Sequence, residues 1–440
     1  MNQDESFAPY DRALKEMCLT PIRAKIIQVI GLVLESSGLS ASMGEICQVF
    51  DGLRVVGQAE VVGFRRKTTL LMALGQLDGL RPGMEVMATG RVFSVGVGKQ
   101  LLGRVINGLG EPIDGKGPIL LSETGRINND PPNPLDRRRI SEPMITGIRA
   151  IDGFKTVGKG QRVGLFAGSG VGKSVLLGMI ARNCQSAVNV IALIGERGRE
   201  VKEFLEKDLG EAGLARSVVV VATSDQPALV RIKAAQVATT VAEYFRDLGG
   251  DVMLMMDSST RLAMAQREIG LAIGEPPSTR GYTPSVFAFL PRLFERAGMG
   301  KHGSITALYT VLVEGDDMDE PVADAVRSVL DGHIVLSRSL AHRNHFPAID
   351  VLKSVSRCMT DVTAKEHRTH LGKLLNAMAV YADAEDMVNL GAYVRGSNPL
   401  LDQAIALHAE IEKFLIQAVE DRSEFKTTVD KVAALAGALK

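Results

Sequence analysis

Ala167-Gly168-Ser169-Gly170-Val171-Gly172-Lys173-Ser174 follows the apolar run 163–166 and leads into a helix-compatible run, 175–181. A buried strand, a glycine-rich turn closing on Lys-Ser, and then a helix is the context a phosphate-binding loop requires. Glycines let the backbone wrap closely and aim its N–H groups at phosphate oxygens, and the helix N-terminus adds its own amides and dipole. On this reading the loop, with Val175 just after it, holds ATP. Lys173 brings a mobile positive charge to the β- and γ-phosphates, and Ser174 offers a hydroxyl to Mg²⁺. The usual pattern starts on Gly where this chain has Ala167. A side chain is tolerated there only if the position needs no positive φ, and Gly168 is free to take the turn instead.

Working outward, the runs 163–166, 190–194, 218–221, 252–256 and 305–311 are almost wholly apolar and alternate with helical stretches. Strands of that kind are buried on both faces, as in a parallel α/β sheet. The Met-rich run 252–256 therefore reads as core. Asp257 ends it, and a carboxylate at the C-terminal end of a buried strand beside the loop strand is placed to hold Mg²⁺. Gly195-Glu196-Arg197 ends the run 190–194 in the same way, and a carboxylate there can orient and activate a water.

Before this region, 26–34, 45–50, 59–64 and 68–72 are β-rich runs split by Gly and Asp, which suggests a small barrel or sandwich. A short helix is expected over 10–17. The Gly/Pro-rich passage 103–134 reads as an ordered linker, and Arg137-Arg138-Arg139 as a solvated basic run. Beyond about residue 364 the pattern is helical: Leu371, Leu374, Leu375 and Met378 recur at helical spacing, as do Ile405, Ile411, Phe414 and Leu415. The reading gives a segment 1–22, a barrel 23–93, an α/β domain 94–363 and a helical domain 364–440.

Composition narrows the function classes. The chain has 440 residues, 45% hydrophobic and 23% charged, with 51 basic against 51 acidic side chains. Zero net charge, no Trp and 5% aromatics give little for a nucleic-acid surface. The four cysteines form no CxxC pair, which argues against zinc or a disulfide scaffold and suits a reducing cytoplasm. No run approaches the length of a membrane span, so membrane contact is expected to be peripheral. His342 and His345, lacking further ligands, read as solvated surface.

Taken together, these motifs resemble the catalytic subunits of the F-type and type III export ATPases. The stretches 156–174, 194–204, 256–268, 281–296 and 314–337 are similar to that family, as is 103–115 (GRVINGLGEPIDG). The stretches 276–293 and 391–402 (GAYVRGSNPLLD) look like the export ATPases, and the Gly-Ala-Tyr opening of the latter looks flagellar. The resemblance implies an α/β fold with an N-terminal small β-barrel, a central RecA-like P-loop ATPase domain with a mainly parallel sheet, and a C-terminal helical domain. It implies Mg²⁺-dependent ATP hydrolysis. Glu196 would position the hydrolytic water, and Arg197 and Arg261 would lie near the γ-phosphate. Asp257 would hold Mg²⁺ through water, Phe346 would stack on adenine, and Tyr393 would form a second wall. Arg357 matches an arginine finger that acts in a neighbour's site, which implies a homo-hexameric ring. The implied partners are a regulator, a coiled-coil stalk protein, export chaperones with their substrates and the membrane export gate, at the inner face of the cytoplasmic membrane. Alternatives are an injectisome export ATPase, a catalytic subunit of a rotary proton-translocating ATPase, an RNA-translocating ring and a non-catalytic subunit. The presence of Glu196 speaks against the last.

Overall fold

The computed structural model describes residues 22–76, 78–313, 315 and 317–439. The helix expected over 10–17 and Cys18 lie outside them. The chain forms two compact units: one takes in the chain up to Phe93 with Ala272–Gly274, and the other takes in Ser94–Leu271 and Glu275–Lys440.

In the first unit, six strands close into a barrel in the order β1-β2-β5-β4-β3-β6, with β6 returning to β1. They are β1 Arg23–Ile30, β2 Val33–Ser37, β3 Glu45–Asp51, β4 Arg54–Arg65, β5 Thr68–Ala73 and β6 Glu85–Val92. Side chains that alternate along the strands point inward, so Cys47 and Val49 of β3 meet Ala59 and Val61 of β4 and Leu71 of β5 in one core. The choice left open between barrel and sandwich is resolved as a closed barrel. The apolar run at 26–34 is a hairpin, turned at Gly31, rather than one strand.

The second unit is built on a sheet of order β17-β16-β10-β15-β13-β11-β12-β8. Its members are β8 Arg104–Asn107, β10 Arg162–Ala167, β11 Val188–Ile194, β12 Ser217–Ala222, β13 Asp251–Asp257, β15 Ser304–Leu312, β16 Gly332–Leu336 and β17 Ile349–Ser356, with the short β14 Gly298–Met299 pairing β15 off this path, while β7 Ser94–Val97 and β9 Glu123–Arg126 pair separately. All neighbours from β16 to β8 run parallel, and only β17 is antiparallel on this path. Every residue of β11 and β12 is buried, as near-continuous apolar strands require when helices cover both faces. Met253, Met255 and Met256 are fully buried core.

Three expectations need correction here. The passage 103–134 is not only a linker, because its residues 104–107 form β8, the parallel edge strand beside β12. The basic run is not simply solvated. Arg137 donates to the carbonyl of Ala297 at 2.8 Å and to Glu295, and Arg138 donates to His302 O at 2.9 Å, so both satisfy carbonyls in the turns that follow residue 294. Arg139 keeps an 82% exposed side chain, 2.9 Å from Asp361. Nor is His345 at the surface; it is 3% exposed and sits 2.7 Å from Glu412.

Helices Lys365–Asn389, Pro399–Leu415 and Phe425–Gly437 follow the sheet. They join the same unit through a shared core: Leu371, Leu374, Ile411, Phe414 and Val432 pack with Ile151 and Phe154 of the short helix Arg149–Phe154. The rings of Phe154 and Phe414 lie 6.1 Å apart. Asn398 caps the middle helix, its carboxamide oxygen accepting from Leu400 N–H at 3.1 Å and Leu401 N–H at 3.3 Å.

Candidate nucleotide site

The loop turns out of β10 at the carboxyl ends of the parallel strands, where open α/β sheets bind their ligands. Ala167 is the last residue of β10, fully buried and paired with Leu312 and Leu336. It stays extended, so the departure from the usual pattern demands no left-handed backbone. Gly170 and Gly172 supply the positive φ values, 79° and 89°. The helix Lys173–Asn183 starts at once, with Gly172 as its N-cap and no side chain capping its first N–H groups. Those amides face a cavity of about 620 Å³ lined by the loop, including the exposed Ser174. Val171 is buried behind the loop, whereas Val175 lines the cavity.

Lys173 reaches across the cavity floor to two carboxylates. Its Nζ lies 2.5 Å from Asp257 Oδ1 and 3.7 Å from Glu196 Oε1. Contrary to the expectation that the strand carrying Asp257 lies beside the loop strand, β15 lies between them. That intervening strand contributes Thr310, whose hydroxyl donates to Asp257 Oδ1 at 2.6 Å. Asp257 is therefore buried, paired and fixed, which is how a buried charge is tolerated.

Glu196 is in a different state. Burial pushes its carboxyl up to about 7; Lys173 opposes that push, while Asp257 and a hydrogen bond with Glu200 add to it. Glu200 is correspondingly held down by the same hydrogen bond, so the proton the pair shares sits on Glu196. Oε1 of Glu196 is buried without a hydrogen-bond partner. A nearly buried carboxyl poised near neutral pH beside a phosphate-binding loop is suited to general acid–base work.

Gly195 holds φ at 73°, and a Cβ there would stand 2.8 Å from Cβ of Arg261. Glycine thus lets the β11 turn pass against the helix Ser259–Ile273, which brings Arg261 to the cavity wall. The Nε of Arg261 is buried without a partner. Arg197 lines the cavity mouth with a 78% exposed side chain, 3.7 Å from Glu200. Arg338 also lines the cavity. Sequence reasoning missed Arg338, Glu200 and Thr310. Only Glu200, one helical turn after Glu196, carried a usable signal.

Phe346 is 38% exposed, and its ring carbons lie 3.5 Å from where a Cβ on Gly172 would be. Tyr393 is not among the residues lining that cavity, and its hydroxyl lies 3.0 Å from Asn398 O and 3.1 Å from a carboxylate oxygen of Asp402, both acceptors within reach of its one proton. Arg357 also stands apart. It follows β17, is exposed, and its backbone N–H donates to Asp331 O at 3.0 Å. Among the described residues no carboxylate pairs with its guanidinium. No group of His, Cys, Asp and Glu among the described residues could hold a metal ion by itself.

Comparison with known proteins agrees with this geometry. The nucleotide-binding domain of the ATP synthase alpha/beta family matches residues 147–356, and its β-barrel domain matches 26–90. The C-terminal domain of the T3SS EscN ATPase matches 363–434. The chain is 53% identical over 418 residues to the flagellum-specific ATP synthase of Bacillus subtilis, covering 94% of this chain and 95% of that one. It is 50% identical over 427 residues to the type 3 secretion system ATPase of Xanthomonas euvesicatoria, covering 97% and 96%. The assembled ATPase EscN of enteropathogenic E. coli superposes with a TM-score of 0.90 at 44% identity, covering 94% of this chain and all of that one. EscN in complex with its central stalk EscO superposes at 0.87, again with 44% identity and 94% of this chain covered. With a phosphate-binding loop, two carboxylates at strand ends and these relatives, the chain belongs to the ATP synthase alpha/beta family, in its branch of flagellum-specific and type III secretion ATPases.

Proposed function

We propose that this chain hydrolyses Mg·ATP as a homo-hexameric ring that energises type III export of flagellar proteins. Its proposed place is in the cytoplasm, peripheral to the inner face of the membrane, where it engages chaperone–substrate complexes at the export gate, a regulator and a coiled-coil stalk. No helix among the described residues is long and apolar enough to cross a membrane, which fits a peripheral place.

The observation that carries this reading is a division of labour. Glu196 and Asp257 both lie within 4 Å of Lys173 Nζ in the cleft, while Arg357 stands exposed elsewhere on the same chain, with no carboxylate partner among the described residues. When nucleotide enters, Lys173 leaves Asp257 for the β- and γ-phosphates. The oxygens of Ser174 and Asp257 are the hard donors that suit Mg²⁺, which supplies charge neutralisation on the phosphates. Glu196, once ionised, orients the attacking water and takes its proton. Arg261 and Arg197 stabilise the γ-phosphate from the cavity wall, and Phe346 stacks on the base. Arg357 completes the site of the next subunit, as head-to-tail contacts in a closed ring permit.

The test is Mg·ATP hydrolysis over a wide range of protein concentration, with Glu196→Gln as control. Specific activity that rises steeply with concentration and is lost in the control supports the ring. Specific activity that is constant down to concentrations where sizing shows monomer contradicts it. The injectisome reading is favoured by one observation, the 50% identity to the Xanthomonas secretion ATPase. An in-frame deletion scored for swimming and for effector secretion separates the two readings.

A further inference from the structure

Phe346, the aromatic proposed to receive the base, is tied to the C-terminal region by two contacts, one on the helix Pro399–Leu415 and one just beyond its end. His345, immediately before Phe346, is 3% exposed and places Nδ1 2.7 Å from Oε2 of Glu412 on the helix Pro399–Leu415. An ionised carboxylate only accepts, so Nδ1 carries the proton and donates. The other ring nitrogen is buried without a partner, so this single bond sets the ring's orientation. Glu412 is held below its ordinary range chiefly by that hydrogen bond, which keeps it ionised and accepting. The second contact is Gln417 N–H, which donates to the carbonyl of Phe346 at 2.9 Å. Gln417 is 2% exposed, and its side chain is locked by Arg149 N–H at 2.9 Å and by the carbonyl of Gly147 at 2.8 Å.

We infer that Glu412 is a positioning residue for nucleotide: through His345 it fixes Phe346 over the loop, so that the C-terminal helices set the affinity for the base. The inference rests on Phe346 being the aromatic that receives adenine. Its physical basis is that Phe346 itself is more than a third exposed, whereas the residue before it is buried and hydrogen-bonded. A shift of the helix Pro399–Leu415 by a fraction of an ångström would be transmitted to the ring through one short hydrogen bond and one backbone bond. Anything that loads those helices would then change ATP affinity without touching Lys173, Glu196 or Asp257.

The experiment compares ATP with inorganic tripolyphosphate, which engages the loop but carries no base. In the full-length protein, Glu412→Ala should raise the KM for ATP about five- to tenfold and leave kcat within about twofold, on the scale of a partly lost base-stacking contact. The inhibition constant of tripolyphosphate should not move. Glu412→Gln keeps an acceptor oxygen at the same reach and should restore KM to within about twofold of the parent, as a neutral acceptor still takes the Nδ1–H bond. Phe346→Ala is the control and should raise the KM for ATP but not the tripolyphosphate constant. If Glu412→Ala weakens ATP and tripolyphosphate equally, the loop itself has been disturbed and the positioning role is overturned. If Phe346→Ala raises KM but Glu412→Ala does not, the linkage is overturned while base stacking stands. If Phe346→Ala changes nothing, base stacking at that residue fails, and the linkage fails with it.

Discussion

The cleft behind the phosphate-binding loop and the edge that carries Arg357 are opposites. In the cleft, three ionisable side chains crowd within 4 Å, all at most 14% exposed, and each is restrained by a neighbour. At the edge, a guanidinium stands in solvent with its backbone bonded and its side chain free of carboxylate partners among the described residues. Burial is the main cause that raises the Glu196 carboxyl to about 7, and Lys173 is held between that carboxyl and Asp257. Among the described residues Arg357 has no carboxylate partner, and the proposed ring gives its guanidinium a use: two halves of one catalytic site stand in two places on the chain, and copies complete each other by exchanging them.

The sharpest way to break the contrast is to remove the exposed half. Arg357→Ala should lower kcat by about 10³-fold or more, the scale of an arginine finger, while stability moves by no more than about 0.5 kcal/mol as for other surface changes. Thermal unfolding and steady-state ATP hydrolysis read the two quantities. A large loss of stability would show that Arg357 has structural work the described contacts do not account for. Removing the buried half comes next. Glu196→Gln should lower kcat by about 10²- to 10⁴-fold, the range for losing a general base, with binding of a fluorescent ATP analogue retained.

The acid limb sharpens the comparison further. A carboxyl raised to about 7 is neutral below that pH and ionised above it, so kcat/KM should fall as pH drops through about 7. Glu200→Ala removes a hydrogen bond and a like charge that both push Glu196 upward, so the limb should move to lower pH. Burial, the largest cause, remains, which keeps the limb above the ordinary glutamate range. A limb that moves to higher pH would contradict the assignment of the shared proton. The smallest effect belongs to Tyr393. Its hydroxyl is committed to Asn398 and Asp402, so Tyr393→Phe should leave the KM for ATP within about twofold, consistent with a surface hydrogen bond worth roughly 1 kcal/mol or less to local structure.

What could be read from sequence was what lies close along the chain. The loop, Asp257 and Glu196 each follow an apolar run, because a strand end and its turn are local events. The run around 26–34 was legible as β-rich but not as a hairpin, since one glycine decides between the two. Residues that matter through pairing were not legible. Thr310 lies 53 positions from Asp257 and meets it only because β15 slots between β13 and β10. His345 looked like surface because nothing near it in sequence announces that Glu412, 67 positions on, will cover it. The strand β8 was hidden because four residues between glycine-rich turns carry too little periodicity to stand out, and only their partner β12 makes them a strand.

Whether two copies complete one site is decided by mixing two dead variants. Glu196→Gln retains Arg357, and Arg357→Ala retains Glu196, so each supplies what the other lacks. Mixed in equal amounts and allowed to exchange, random rings place an intact carboxylate beside a neighbour's intact arginine at about one interface in four, given head-to-tail closure. The account predicts that the mixture recovers up to about a quarter of the parent activity, in a concentration-dependent way, if sites act independently around the closed ring. A mixture as inactive as its components, with ring assembly verified in the same sample, would contradict it.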